Sequence, residues 1–371
     1  MTSAPDISVN LPVEAVETLW GVQLMPAGCP VCKQVFLVHS TAKGQICPAC
    51  VRGYLAPQPA LPRSERPEMQ IVFRKSKNDL LPILTNFVNG VWLRPDDFNQ
   101  ANLLQRAMPV YWPMWLVASD VNGAWQAEGG FDYQVKSSQE SYSGGGWRTR
   151  EVIETRIRWE PRLGQIRRHY DHISTSALSY HSQLWELIQG YRLDQSTPYN
   201  PKLIGDGLVQ VPDLKPQGAW PQAKAVVDQR SAADCQKAAA AQHIRSYRLD
   251  AAYEALCWTQ LLLPLYASYY QDDAGVPHPV FINGQSGAVA GERMASQRKG
   301  WQRAGLMALI AVGIFILGLL AFGLGLLFAP IEIIAIGLAI LALGAGLGAV
   351  VPAVYPWWWN RRQKPVGFPK S

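Results

Sequence analysis

Catalytic signatures are missing from this sequence. Its 371 residues contain no Gly-Lys-Ser/Thr phosphate loop, no Gly-x-Ser-x-Gly elbow, no His-Glu-x-x-His pair and no Gly-x-Gly-x-x-Gly turn after a strand. Nucleotide hydrolysis, serine-hydrolase chemistry, zinc proteolysis and dinucleotide binding therefore lack their usual residues. Charge is also scarce in one place. It makes up 17% of the whole chain, yet between Ala304 and Val354 only Glu332 carries any. Residues 1–25 lack a basic start followed by an apolar core, so the expectation is a cytoplasmic N-terminal part without a signal peptide.

The charge-poor stretch divides into two apolar runs, Ala304 to Phe328 and Ile331 to Val354, separated by Ala329 and Pro330. An apolar helix of about 20 residues crosses a hydrocarbon core about 30 Å thick. Two transmembrane helices, 304–328 and 331–354, are therefore expected. Pro330 and Glu332 mark the turn, because proline cannot donate to a helix and a carboxylate is better tolerated among headgroups than at the bilayer centre.

Arg293, Arg298, Lys299 and Arg303 precede the first run; Arg361, Arg362, Lys364 and Lys370 follow the second. Positive flanks stay in the cytoplasm, which sets both termini there. The basic segment 293–303 and tail 355–371 would meet anionic lipid, with Arg298, Lys299 and Arg303 as candidate contacts worth about 1 kcal/mol each. Trp301 and Trp357 to Trp359 suit the headgroup level. Gly318, Gly323, Gly325, Gly337, Gly344, Gly346 and Gly348 suit close helix packing and a homo-oligomer built through the hairpin. The competing reading is a buried helical hairpin of a soluble protein. The runs hold no carboxylate pair, His or Lys, which favours an anchor over a transporter.

Six cysteines include two close pairs, Cys29-Pro30-Val31-Cys32 and Cys47-Pro48-Ala49-Cys50. Four thiolates from two such knuckles complete the closed tetrahedron that one structural zinc ion prefers; tetrahedral sulfur also suits iron. Residues 25–53 thus read as a zinc ribbon, with Val35 to Val38 leading into a hairpin turn over 41–44. Before it, residues 1–24 read as a flexible start and a short helix. After it, 54–69 is proline-rich and reads as a linker.

Residues 70–292 are expected to form one soluble α+β domain, mostly antiparallel. A strand at 71–73 precedes a helix capped by Ser76 and running through Val88; a second helix covers 96–105. Trp112-Pro113-Met114-Trp115 and Leu263-Pro264-Leu265-Tyr266 echo each other, each predicting the start of a strand at a sheet edge, where proline is tolerated. Two related β-units follow. The first holds a Gly/Ser-rich insert, 137–146, and a strand 152–159 in which Arg156 and Arg158 face away from Ile153 and Ile157. Residues 183–216 mix a short helix with a proline-rich connection, 219–243 is helical, 247–256 is a strand, and Asn283 to Gly287 is a tight hairpin turn.

The remaining candidates are weaker chemically. His169 and His172 with Asp171 are either a second metal site or solvent and packing residues, and His181 adds little; Cys235 and Cys257 read as ordinary thiols. Arg148, Arg150, Arg156 and Arg158 could meet nucleic acid or acidic lipid. Interleaved Glu151, Glu154 and Glu160 equally suit a solvated strand face and would blunt a phosphate-binding field.

The order of these parts resembles a family of bacterial membrane-anchored zinc-ribbon proteins, labelled transcription-factor-B-type or primosomal-helicase-like. The likeness rests on both CPxC knuckles, Val91-Trp92-Leu93-Arg94-Pro95-Asp96-Asp97-Phe98, Val110 to Trp115, Arg158-Trp159-Glu160-Pro161, Pro198-Tyr199-Asn200-Pro201 and Phe281 to Gly287. It implies zinc at Cys29, Cys32, Cys47 and Cys50, residence in the bacterial inner membrane, and stomatin/flotillin-type or phage-shock membrane-stress partners. Helicase activity is not implied, since no nucleotide-holding segment is present. The function expected is a non-enzymatic adaptor that scaffolds cytoplasmic proteins at the membrane; the alternative is a membrane-tethered nucleic-acid-binding or regulatory protein.

Overall fold

The computed structural model describes residues 11–21, 23–39, 44–61, 66–180, 190–326 and 330–363. Several expectations lie outside these residues: the disordered start over 1–10, the turn at 41–43, Pro62, His181, the short helix from 183, Phe328 and Ala329, and the flanking Lys364 and Lys370.

The elements are α1 (Val13–Trp20), β1 (Leu24–Gly28), β2 (Val35–His39), α2 (Leu80–Asn89), α3 (Gln100–Gln105), β3 (Met108–Ser143), β4 (Gly146–Ser176) and β5 (Leu208–Gln210). There follow α4 (Pro216–Ala239), β6 (His243–Gln271), β7 (Pro277–Asn283), β8 (Val289–Gly291), α5 (Gln297–Gly325) and α6 (Pro330–Arg361). The fold is mixed α+β with a large sheet and two apolar C-terminal helices. Two compact units divide the chain. One holds Met1–Pro113, Leu178–Asp213 and Leu262–Ser371; the other holds Met114–Ala177 and Leu214–Leu261. Residues 70–292 are thus shared between two units.

In the first unit the strand order is β8-β7-β6-β3-β5-β2-β1, ending on the short strand Ala56–Pro57. The ribbon strands are therefore continuous with the main sheet: β2 pairs antiparallel with both β1 and β5, and β5 runs parallel to β3. The proline-rich segment 54–69 contributes short strands of its own, Ala56–Pro57 against β1 and Ala60–Leu61 against Leu11–Pro12. α2 buries Leu80, Leu84 and Val88, one residue per turn on one face, against Phe98, Tyr270, Val280 and Ile282. Ser76 and Asp79 form a reciprocal cap at its approach, Asp79 accepting from the Ser76 N–H at 2.8 Å and hydroxyl at 2.7 Å.

The second unit is the β3–β4 hairpin with β6 and α4. The hairpin keeps register from Met114 opposite Ser176 to Ser143 opposite Gly146, with one shift between Val117 and Ser119. The Gly/Ser-rich segment is the end of this hairpin rather than an insert. Gly144 and Gly145 make the turn with φ of 64° and 86°, the positive pair that a two-residue type I′ turn requires. α4 buries Ala219, Ala223, Val227, Ser231, Cys235 and Ala239, spaced four apart; Ala223, Val227, Cys235 and Ala239 pack with Val117, Val121 and Ile173, and Ala219 with Trp115 and Ala177.

The two Pro-containing echoes do not begin edge strands. Pro113 and Pro264 lie inside β3 and β6, central strands of the sheet. The missing N–H is tolerated because each proline sits in a gap between neighbours. The β5 ladder on β3 stops at Tyr111 and the β4 ladder starts at Met114; the β7 ladder on β6 starts at Leu265.

α5 and α6 each have the length and composition to cross a membrane, and only 11% and 17% of their apolar windows are buried. Leu309, Ile333 and Leu343 are among the exposed side chains. A buried soluble hairpin would cover these residues, so the exposure fits membrane insertion. α6 runs past Val354 to Arg361, through Pro352 and Pro356. Its end is pinned. Asn360 donates to the Ala295 carbonyl at 2.9 Å and accepts from the Ala295 N–H at 2.7 Å, and Trp359 donates its indole N–H to the Arg293 carbonyl at 2.5 Å. Trp359 and Tyr355 pack on the α2 core, whereas Trp301, Trp357 and Trp358 stay exposed. Of the glycines expected to pack, Gly318 meets Leu338 and Gly348 meets Met307; Gly323, Gly337, Gly344 and Gly346 face open space.

Candidate metal centre

Two knuckles of the same shape build this site. In each, the residue after the second cysteine donates back to the carbonyl of the first: Lys33 to Cys29 and Val51 to Cys47, both at 2.9 Å. Closing so tight a loop forces that residue into the left-handed region, with φ of 62° at Lys33 and 51° at Val51. Proline in the second position presets φ for the turn. Gly53 is required by contact, since a Cβ there would stand 2.6 Å from Cys29 Sγ and 2.9 Å from Val31. The knuckle at Cys29 follows directly on β1, and the Cys47 N–H is held by the Gly53 carbonyl at 2.7 Å.

The four sulfurs lie within 4.8 Å of one another, with Cys29 Sγ 3.7 Å from Cys50 Sγ and Cys32 Sγ 3.6 Å from Cys47 Sγ. A tetrahedron of metal–sulfur bonds about 2.3 Å long has edges of about 3.8 Å, so the spacing fits one ion held by four thiolates. Cys29, Cys47 and Cys50 are buried and Cys32 is half-buried. Filled by one ion, such a donor set would have no position left for substrate.

A polar network, buried at Gln34, Gln210 and Tyr180 and reaching the surface at Asp213 and Ser179, is unanticipated from the sequence and ties the knuckle to the sheet. Gln34 donates to Asp213 at 2.8 Å and accepts from Gln210 at 2.9 Å; Tyr180 donates to Gln210 at 2.8 Å; Asp213 also accepts from the Ser179 N–H at 2.8 Å. Burial pushes the Tyr180 phenol well above its usual range. A second unanticipated group is His278, buried and stacked on Tyr270, with its ring nitrogens 2.7 Å from Glu292 and 3.2 Å from Asp272. Burial works against charge on Asp272, yet the Val276 N–H, the His278 ring and the Ala274 N–H hold its pKa below the usual carboxylate range. Either feature would need its distant partners to be recognised, and in sequence they stand apart.

The other sequence candidates stay separate. His169 sits 2.7 Å from Asp120 and His172 3.3 Å from Asp171, both exposed, and the cysteines are the single metal-ligating cluster among the described residues. Cys235 is buried and accepts from the Tyr247 hydroxyl at 3.6 Å; Cys257 is exposed. Arg148, Arg150, Arg156 and Arg158 share one face of β4, opposite to that of Ile153 and Ile157. Arg156 pairs with Glu154 at 3.1 Å and Arg158 with Glu160 at 2.9 Å. At the start of α5, Arg298 and Lys299 do not stand free: both contact Asp96, at 2.5 and 2.6 Å. Arg303 is exposed.

Comparison with protein families, with curated proteins and with solved structures returns no match. In Phe281 to Gly287, Asn283 Oδ1 accepts from the N–H groups of Gln285 and Ser286, and a Cβ on Gly284 would collide with the Phe73 ring at 2.5 Å.

Proposed function

We propose that this chain is a non-enzymatic adaptor of the bacterial inner membrane, in which a four-cysteine zinc knuckle pair shapes a docking surface and the α5–α6 hairpin holds that surface at the bilayer with both termini in the cytoplasm. The observation that carries the reading is the closed cage: four sulfurs within 4.8 Å of one another leave no coordination position for chemistry. Support also comes from the two largely uncovered apolar helices. Val31 and Tyr54 stand 55% and 65% exposed, one beside each cysteine pair, and give the docking surface its apolar contacts. A membrane scaffold protein of the stomatin/flotillin type, or a membrane-stress partner, is the class of protein proposed to dock there. Less supports the nucleic-acid alternative, since Glu154 and Glu160 are spent on Arg156 and Arg158.

The test is crosslinking in native membranes followed by mass spectrometry, on the wild-type chain, Cys29→Ser with Cys47→Ser, and Val31→Glu with Tyr54→Ala. A partner lost from both variants while membrane insertion is unchanged is the expected result. A partner set indifferent to both would overturn the docking surface.

A further inference from the structure

The second unit ends in an arm. From Asp132 to Ile157 the β3–β4 hairpin has no buried residue. β6 begins at His243, which contacts Asp132 at 2.9 Å, and Gln242 ends the ladder, its N–H donating to the Gly130 carbonyl and its side-chain Oε1 accepting from the Asp132 N–H. Beyond that point, from Tyr133 to Ser143, one edge of β3 has no strand beside it among the described residues. A two-stranded ribbon is marginal in water by itself, and an open edge is a template for another strand.

Charge decides what fits. Across the arm Lys136, Arg148, Arg150 and Arg156 are balanced by Asp132, Glu140, Glu151 and Glu154, so a polyanion finds no net field. Backbone parity then restricts the pairing. Gly130 and Asp132 both turn their main-chain groups toward the open side, and in an antiparallel ladder this alternates, so Gln134, Lys136, Ser138, Glu140 and Tyr142 present their N–H and C=O groups to a newcomer.

From this geometry we infer that the arm pairs with the same arm of a second copy, β3 edge to β3 edge, antiparallel about a two-fold axis at Ser138. That axis is the midpoint of the open edge 133–143, so it uses every free residue. The same register sets Lys136 of one copy opposite Glu140 of the other, twice. Moving the axis to Lys136 or Glu140 would face like charges; moving it to Ser137 or Gln139 would leave both charges unpartnered. Neither Lys136 nor Glu140 has an ion pair within its own chain among the described residues. The product is a four-stranded sheet, closed by about ten new main-chain hydrogen bonds.

The experiment uses the full-length chain in lipid nanodiscs or native membranes. With Ser138→Cys, mild oxidation should give a disulfide-linked dimer, because directly opposed residues sit about 5.5 Å apart at Cα, within reach of a disulfide. With Ser143→Cys it should not, since this register separates those positions by roughly 34 Å. The wild-type chain, with Cys257 exposed, supplies the background. In the Ser138→Cys chain, Lys136→Glu or Glu140→Lys alone should cut the dimer yield about threefold to tenfold, and the two together should restore it. Zinc content and thermal unfolding show that each variant is folded. No dimer from Ser138→Cys, equal yield from Ser143→Cys, or a double variant as weak as the singles would overturn the pairing.

Discussion

Residues 24–57 and residues 132–157 are both small β-structures, and opposite means hold them. Around the knuckles Phe36, Leu37 and Val38 are fully buried, four thiols converge, and a continuous hydrogen-bonded network runs from Gln34 to Tyr180. The arm buries nothing and relies on its own ladder and surface ion pairs. The difference teaches where order comes from in this chain. The knuckle region is specified from inside, by its core and its converging thiols. The arm is specified by pattern alone, with turn, alternation and charge, and it leaves an edge that another chain can complete.

Metal removal should separate the two regions most sharply. Structural zinc contributes on the order of 10 kcal/mol in small zinc domains. Chelation or Cys47→Ser should therefore expose residues 24–57 to protease within the folding transition of the first unit, while Ser138→Cys crosslinking of the arm persists. Simultaneous loss of both would break the comparison. Acid should act like chelator. Binding requires thiolates, so each proton that returns to sulfur competes with the ion, and zinc release should rise steeply as pH falls below neutral. A colorimetric zinc assay between pH 7.5 and 5 checks the sign.

Next in size is Gln34→Ala. It would leave one N–H of the buried Gln210 amide without its acceptor, at a cost of about 1–3 kcal/mol seen in denaturant unfolding. Asp97→Asn follows at about 1–2 kcal/mol. Burial opposes its charge, yet the Arg106 guanidinium and the Gln271 N–H hold Asp97 below the usual carboxylate range, Arg106 approaching at 2.5 Å. A lowered folded pKa stabilises above the unfolded value near 3.9 and is lost as pH falls through the folded one. Acid unfolding of the wild type should therefore steepen below about pH 4, and Asp97→Asn should flatten it. The matching change in the arm, Glu154→Gln, should shift stability by less than about 0.5 kcal/mol, because exposed ion pairs contribute little. A similar loss from both would mean that the arm is tied as tightly as the first unit.

These contrasts also explain what could be read in advance. The knuckles and the apolar helices were legible because their chemistry is local: CPxC carries its own geometry, and apolar length is a property of a run. The arginine face was legible because strand alternation fixes it. The edge position given to Pro113 and Pro264 was not, because what tolerates them is the place where neighbouring ladders stop and start, a long-range fact. Glycine-rich 137–146 read as an insert because its serines and glycines hide the strand, although Gly144-Gly145 held the turn in plain view. The network around Gln34 was invisible, since its partners are spread from residue 34 to residue 213.

A contrast of opposite signs is the most discriminating about the knuckles themselves. Lys33 and Val51 occupy matching positions, both left-handed, and both would be relieved by glycine by about 1–2 kcal/mol. Against this stands the extra freedom glycine gives the unfolded chain, about 0.5–1 kcal/mol. Lys33 is exposed, so Lys33→Gly loses no packing and should gain roughly 0.5 kcal/mol net. Val51 is 1% exposed, and removing its side chain forfeits about 1.5–3 kcal/mol of burial, which outweighs the relief. Thermal unfolding of the zinc-loaded protein should therefore move up for Lys33→Gly and down for Val51→Gly. Shifts of the same sign would mean that the two knuckles, alike in backbone, do not differ in what their fifth residue buries.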